Sequence, residues 1–286
     1  MLLVTVTIWA FGFTVTKYAL DNGFEPLAFS AARFALAGTL FAFLTYGLER
    51  TFHMSRRHLQ LLLAAAVAGI FLNQVAFVYA IDLTTASTTA LIFGTLPVLT
   101  ALFAFAFGVE RLSRRFWVAA ACSFAGVALV AVGGGGGLSG DLTGNLLAFL
   151  GAATWGVYSV AIAPLMRHYS PYRISAVALV AGSVPLLVAG LPQLLDQSWD
   201  LAPLVWAGFV FAVVGPLVVT NVLWFTAIDR VGPSRATLVT NLQPFLAALF
   251  AVVLLSESIS AVQFAGGAAI ALGLLLARRR PAVEPA

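Results

Sequence analysis

Two apolar runs 147 residues apart carry a proline near their middle, Pro97 in "ALIFGTLPVLTALFAFA" and Pro244 in "TLVTNLQPFLAALFAVV". A proline inside a helix removes one backbone hydrogen bond and frees the carbonyl four residues earlier, here at Phe93 and Thr240. At about 100° per residue, Thr237, Thr240, Asn241 and Pro244 fall on one helical face. The equivalent face of the other run carries Ala90, Phe93, Gly94 and Pro97. One wall is therefore polar and the other apolar. An amide, hydroxyls, freed carbonyls and a phenyl ring are groups for holding a small solute without making bonds. Further candidates lie at matched places. Asn221, Trp224 and Phe225 cluster on one helical side and correspond to Gln74, Phe77 and Val78; Trp9 pairs with Phe13, and Trp155 with Tyr158 and Ser159. These aromatic stripes also suit plain helix packing. Gln243 is about 160° around the helix from Asn241, so it is expected to bond a neighbouring helix.

Groups that could break bonds are scarce. His53, His58 and His168 fall in short connections, and the apolar runs contain no carboxylate pair, so acid–base or metal chemistry at depth has nothing to use. The "GGGGGLSGDLTG" run at 133–144 lacks the Lys-Ser/Thr ending of a phosphate loop and reads as a flexible connection. Cys122, the one cysteine, lies inside an apolar run. No cofactor, metal or nucleotide is implied.

The elements that must position these residues follow from composition. Hydrophobic residues make up 61% of the 286 and charged residues 9%, far from the mix of soluble domains. The pattern predicts ten membrane spans, near residues 2–20, 26–48, 59–81, 86–108, 115–133, 143–163, 173–195, 202–228, 233–255 and 259–277. Each is close to the 20 or so helical residues that cross a hydrocarbon core, and only helices satisfy their own backbone over such lengths. The fold class is an all-α polytopic membrane protein. The first span has no basic segment before it and no small-residue cleavage site, so it reads as a true span rather than a signal peptide.

Arginines set the orientation. Thirteen of the 15 basic residues fall in alternate connections: Arg50, Arg56 and Arg57; Arg111, Arg114 and Arg115; Arg167 and Arg173; Arg230 and Arg235; and Arg278 to Arg280. Such a bias in short loops places those connections and both termini in the cytoplasm. Scattered over loops, the charge of +4 does not form a nucleic-acid surface. "AIDLTTASTTALIFGTLPVLTALFAFAFGVERLS" at 80–113 aligns without a gap to "AIDRVGPSRATLVTNLQPFLAALFAVVLLSESIS" at 227–260. The apolar pattern, the proline and a closing glutamate recur, while the arginines move to the opposite end. Five spans per half is an odd number, so the second half enters the membrane inverted. Residues 1–133 form the first five-helix repeat, 134–142 a Gly-rich outer linker, 143–280 the inverted second repeat, and 281–286 a cytoplasmic tail. Inverted repeats with paired helix breaks point to a secondary transporter holding its substrate near the midplane. Spans three and eight add a second pair, Gly69 against Pro216.

Arg33 is the one basic residue well inside a span, roughly 10 Å along its helix from the outer end. Two readings fit it: a contact for a substrate carboxylate, or a structural arginine bonded to backbone. Glu110 and Glu257 are expected to cap the start of the helix that follows each.

Trp9 and Trp155, the "AARFALAG" stretch around Arg33, the two proline-centred passages ending in glutamate, and the Gly-rich "SFAGVALV" and "FAGGAAIALG" resemble the drug/metabolite transporter superfamily in its EamA-type branch. The resemblance covers essentially the whole chain and is nearest to bacterial inner-membrane exporters of amino acids and related metabolites. One departure is Trp9-Ala10, where the family commonly has Trp-Gly; Trp155-Gly156 conforms. The resemblance implies ten helices, alternating access and a small-molecule substrate in a lipid bilayer, with no nucleic acid and no ATPase partner. A cavity with amides and aromatics and little fixed charge suits an apolar or aromatic amino acid or a similar drug-like solute. A multidrug or other metabolite exporter of the same fold and a passive channel are the other readings. No acid lies at mid-span to relay protons, so facilitated diffusion stands beside proton coupling.

Overall fold

A computed structural model describes residues 1–108, 114–133, 142–224 and 242–277, and these are helical apart from short connections. The first half contains α1 (Leu2–Asp21), α2 (Pro26–Glu49), α3 (Arg56–Ala66), α4 (Asn73–Leu83), α5 (Ala86–Phe93), α6 (Leu96–Ala106) and α7 (Arg114–Gly133). The second contains α8 (Leu142–Ile162), α9 (Pro171–Asp196), α10 (Pro203–Val213), α11 (Gln243–Leu255) and α12 (Ala261–Ala277). Wider π turns, Val67–Leu72 and Val214–Val219, continue α3 and α10.

Among the described residues seven helical segments are long and apolar enough to cross a membrane, including Arg56–Leu83, Ala86–Ala106 and Pro203–Trp224. Three shorter apolar stretches, Trp117–Val130, Gln243–Leu255 and Ala261–Gly273, fall at the fifth, ninth and tenth expected spans. Helix starts follow local chemistry. Pro26, Pro171 and Pro203 occupy first turns, where a missing N–H costs nothing. Thr85 and Ser170 accept the backbone N–H of Thr88 and Arg173, at 3.1 Å in both cases, satisfying orphan donors.

The packing is closed under exchange of the two halves. The second and seventh spans pair with each other through α2 and α9, the fifth and tenth through α7 and α12, and the fourth and ninth through α5 and α11. The third span packs on the sixth (α4 on α8) as the eighth packs on the first (α10 on α1). The α7–α12 crossing is tight because glycines meet there: a Cβ on Gly126 would lie 2.6 Å from the Gly266 carbonyl oxygen.

The π turns themselves are 147 residues apart, so the Gly69 and Pro216 pair marks a real backbone feature in both halves. Their partners exchange bulk. Tyr158 lies directly on Gly69, where a Cβ would fall 2.1 Å from the ring's Cγ, whereas in the other half Gly12 makes room for Pro216 at 3.4 Å.

Both ends of the α2–α9 pair are pinned. At one end Gln193 Oε1 accepts the N–H of Leu27 (2.6 Å) and Ala28 (3.3 Å), and Gln197 Oε1 that of Glu25 (2.8 Å). At the other, Arg173 Nη2 donates to Glu49 at 2.8 Å, and Ser170 bonds the same carboxylate. Among the described residues the loops divide as the arginine pattern predicts. Lys17 reaches the Asp82 carbonyl, Gln197 the Gly23 carbonyl, Glu257 the N–H of Ala86, and Ser260 the Gly133 carbonyl. The arginine-poor connections are thus hydrogen-bonded together at one end of the bundle. Ser55, His58, Tyr169 and Arg173 meet at the other.

Candidate functional site

The fourth span breaks where Pro97 requires it. α5 ends at Phe93, two residues turn, and α6 starts at Leu96 with Pro97 in its first turn. The tight turn is held by Gly94 N–H to the Ala90 and Leu91 carbonyls (3.2 and 3.0 Å), and by Thr95, whose N–H (3.0 Å) and hydroxyl (2.7 Å) both bond the Ile92 carbonyl. In the ninth span α11 begins at Gln243, with Pro244 in its first turn. Thr237, Thr240 and Asn241 lie outside the described residues.

A cavity of about 40 Å³ lies beside Pro97 and Pro244. Ala90, Phe93, Gly94 and Pro97 line it, so the apolar face read from spacing holds together through the turn. Phe13, Leu96, Gln243 and Pro244 complete it. Phe13, Phe77 and Phe93 form a triangle of edge-to-face rings with centroids 5.3 to 5.7 Å apart. Phe77 supports the two rings that reach the cavity. Gln243 supplies the hydrogen-bonding side chain of the lining. Spacing had pointed Gln243 toward a neighbouring helix; it lies in the cavity lining. Leu96, its counterpart, reaches the cavity because α6 starts afresh after the turn at Gly94 and Thr95.

The remaining candidates divide into three groups. Trp9, Trp224 and Asn221 gather at the Val214–Val219 turn: Trp9 Nε1 donates to the Pro216 carbonyl at 3.3 Å, the two indoles are 5.4 Å apart, and Asn221 bonds the Leu217 carbonyl. Trp155 and Tyr158, 5.3 Å apart, pack at the Val67–Leu72 turn. Arg33 and Gln74 form the third. Arg33 is 4% exposed and donates to Gln74 Oε1 at 2.6 Å. Gln74 donates to Asn73 (2.9 Å), and Asn73 to the Gly151 carbonyl (2.7 Å). This amide relay runs from α2 through α4 into α8 of the other half. The guanidinium also sits 5.1 and 5.2 Å from the Phe29 and Phe34 rings, which favour a cation. Neither Arg33 nor Gln74 is in the cavity lining.

Glu257 also departs from expectation. The start of α12 is served by its own residues: Ser260 Oγ accepts the Gln263 N–H at 3.1 Å and Gln263 Oε1 accepts the Ser260 N–H at 3.0 Å, a reciprocal box. Glu257 instead accepts the N–H of Ala86 and Ser87, at 2.9 and 3.0 Å, at the start of α5.

An all-helical bundle in which a proline-broken fourth span and the proline-started helix α11 meet at one cavity fits the architecture of a secondary transporter. The EamA-like transporter family matches residues 1–132 and 142–279, and the chain belongs to that family. It is similar to the probable terminal-alkyne amino-acid exporter of Streptantibioticus cattleyicolor, 28% identical over 98% of this chain and 92% of that protein. It is also similar to the uncharacterized transporter YyaM of Bacillus subtilis, 25% identical over 93% and 88% of the two chains. The uncharacterized inner membrane transporter YedA of Escherichia coli K12 is 25% identical over 94% and 85%. A crystal structure 20% identical in sequence matches with a TM-score of 0.67 over 96% of this chain and 94% of its own, which shows the fold alone.

Proposed function

We propose that the protein exports amino acids, apolar or aromatic ones foremost, and related small amphipathic metabolites across the bacterial inner membrane by alternating access, with both termini cytoplasmic. The observation that carries this reading is the meeting of two proline-started half-helices, α6 and α11, at one cavity walled by Phe13 and Phe93. Each half-helix presents its N-terminal end there. The helix dipole favours an anionic group at such an end, worth about 0.3–1 kcal/mol each and more when desolvated. The α-carboxylate of an amino acid fits that end, the Gln243 amide its polar neighbourhood, and an apolar side chain the rings. Thr240 and Asn241 are the expected further polar contacts.

At about 40 Å³ the cavity is about a quarter of the roughly 150 Å³ that accepts a benzene molecule. An amino acid therefore needs the halves to move apart around it, as alternating access requires. The test is counterflow in proteoliposomes with a panel of labelled amino acids, with and without a pH gradient. Saturable counterflow of apolar and aromatic amino acids is expected. Flux that neither saturates nor exchanges would make the protein a channel and overturn the reading.

A further inference from the structure

We propose that Glu257 is a latch that closes the arginine-poor mouth of the pathway by tying the two halves together, an inference that rests on the carrier reading above. The side chain bridges sequence-distant elements. Ser256 takes a left-handed conformation (φ 55°) that ends α11, and the Glu257 N–H turns back to the Ala251 carbonyl at 3.4 Å. The carboxylate then spans to α5 in the first half. One oxygen accepts the Ala86 N–H at 2.9 Å; the other accepts the Ser87 N–H at 3.0 Å and the Ser87 hydroxyl at 2.6 Å. Such charge-assisted bonds are among the stronger polar contacts.

Thr85 caps α5 through the Thr88 N–H at 3.1 Å, and Glu257 takes the first-turn N–H groups of Ala86 and Ser87 that Thr85 leaves over. What Glu257 adds is a link between the halves at a chosen place. α5 carries Ala90 and Phe93 of the cavity lining, and α11 carries Gln243 and Pro244. The latch therefore joins the far ends of the two half-helices whose near ends line the cavity, roughly 18 Å from Gln243 along α11. Gln263 adds a parallel tie to the Thr88 hydroxyl at 2.9 Å. Opening the mouth on this side requires α5 and the end of α11 to part, and these bonds then break together.

The test reads access rather than transport. In a Cys122→Ser background, Ala90→Cys places a thiol in the cavity wall, and a membrane-impermeant maleimide is added to one side of oriented vesicles. Labelling from the arginine-poor side is expected to run about tenfold faster with Glu257→Ala. Glu257→Gln, which keeps one acceptor oxygen, is expected to give about threefold, and Ser87→Ala about twofold, while labelling from the opposite side slows. Unchanged rates from both sides in the folded variants overturn the latch. So does an equal rise from both sides together with a lowered melting temperature, which marks Glu257 as a helix cap only. If Glu257→Ala does not fold, the other two variants carry the same readout. Absence of counterflow by the parent protein sinks the carrier reading separately, because labelling does not depend on the solute.

Discussion

Replacing Gly69 with alanine tests the exchange of bulk between the two halves. The added Cβ would lie 2.1 Å from Tyr158 Cγ and 2.2 Å from Tyr158 Cβ. Those atoms are at the root of a buried side chain, which cannot swing aside as a flexible tip would. Overpacking of this kind typically costs about 1–3 kcal/mol. Alanine recovers about 0.5–1 kcal/mol of that, because it is the better helix former. Gly69→Ala is therefore expected to destabilise the protein by up to about 2.5 kcal/mol. The sign should reverse once the ring is gone: in a Tyr158→Ala background the same change is expected to stabilise by up to about 1 kcal/mol. Tyr158→Ala itself, by comparison with other large-to-small aromatic changes, should cost about 3–5 kcal/mol. Thermal unfolding of the parent, the two single variants and the double variant in detergent gives the coupling as a double-mutant cycle. Gly12→Ala is the control: its Cβ would meet Pro216 at 3.4 Å, an ordinary contact, so it should stabilise by up to about 1 kcal/mol. An identical effect of Gly69→Ala in both backgrounds would refute the claim that Tyr158 dictates the glycine.

Three further outcomes follow from the site. Gln243→Ala removes the hydrogen-bonding side chain of the cavity lining and should weaken apparent affinity about twofold to tenfold in counterflow, the range for a lost neutral hydrogen bond. Unchanged affinity in a well-expressed variant would place the amide outside the pathway. Pro97→Ala allows α5 and α6 to merge and should slow exchange between access states while raising the unfolding temperature; unaltered exchange would reduce Pro97 to a packing feature. Single cysteines replacing Asn22 and Thr51, in a Cys122→Ser background, should label from the periplasmic and cytoplasmic sides respectively, and the reverse pattern would invert the proposed orientation.

Much of the architecture was legible because it depends on local chemistry. Long apolar runs, arginines in alternate loops and prolines at a fixed offset each report on a span, an orientation or a break without any tertiary contact. The face of α5 was legible for the same reason, as a single helix keeps its own phase. Legibility ended at the breaks. Leu96 escaped because the turn at Gly94 and Thr95 resets the angular phase of whatever follows it. Glu257 escaped because its partners are 171 and 170 residues away, and a capping carboxylate looks the same in sequence whichever helix start it serves. Among the aromatic candidates, spacing could not separate Phe13 and Phe93, which line the cavity, from Tyr158, which fills the space over Gly69.

The sequence by itself determined the helical bundle, the repeat and the places where Pro97 and Pro244 start a helix, since hydrophobic length and proline geometry act residue by residue. The tertiary structure alone decided which polar groups reach the cavity and which bond the scaffold. Arg33 shows the division: a lone cation in an apolar span signals a role, but whether it meets a ligand or an amide depends on which helix lies beside it. Here α4 brings Gln74 to 2.6 Å and Asn73 passes the contact to α8, a juxtaposition set by how the two halves pack.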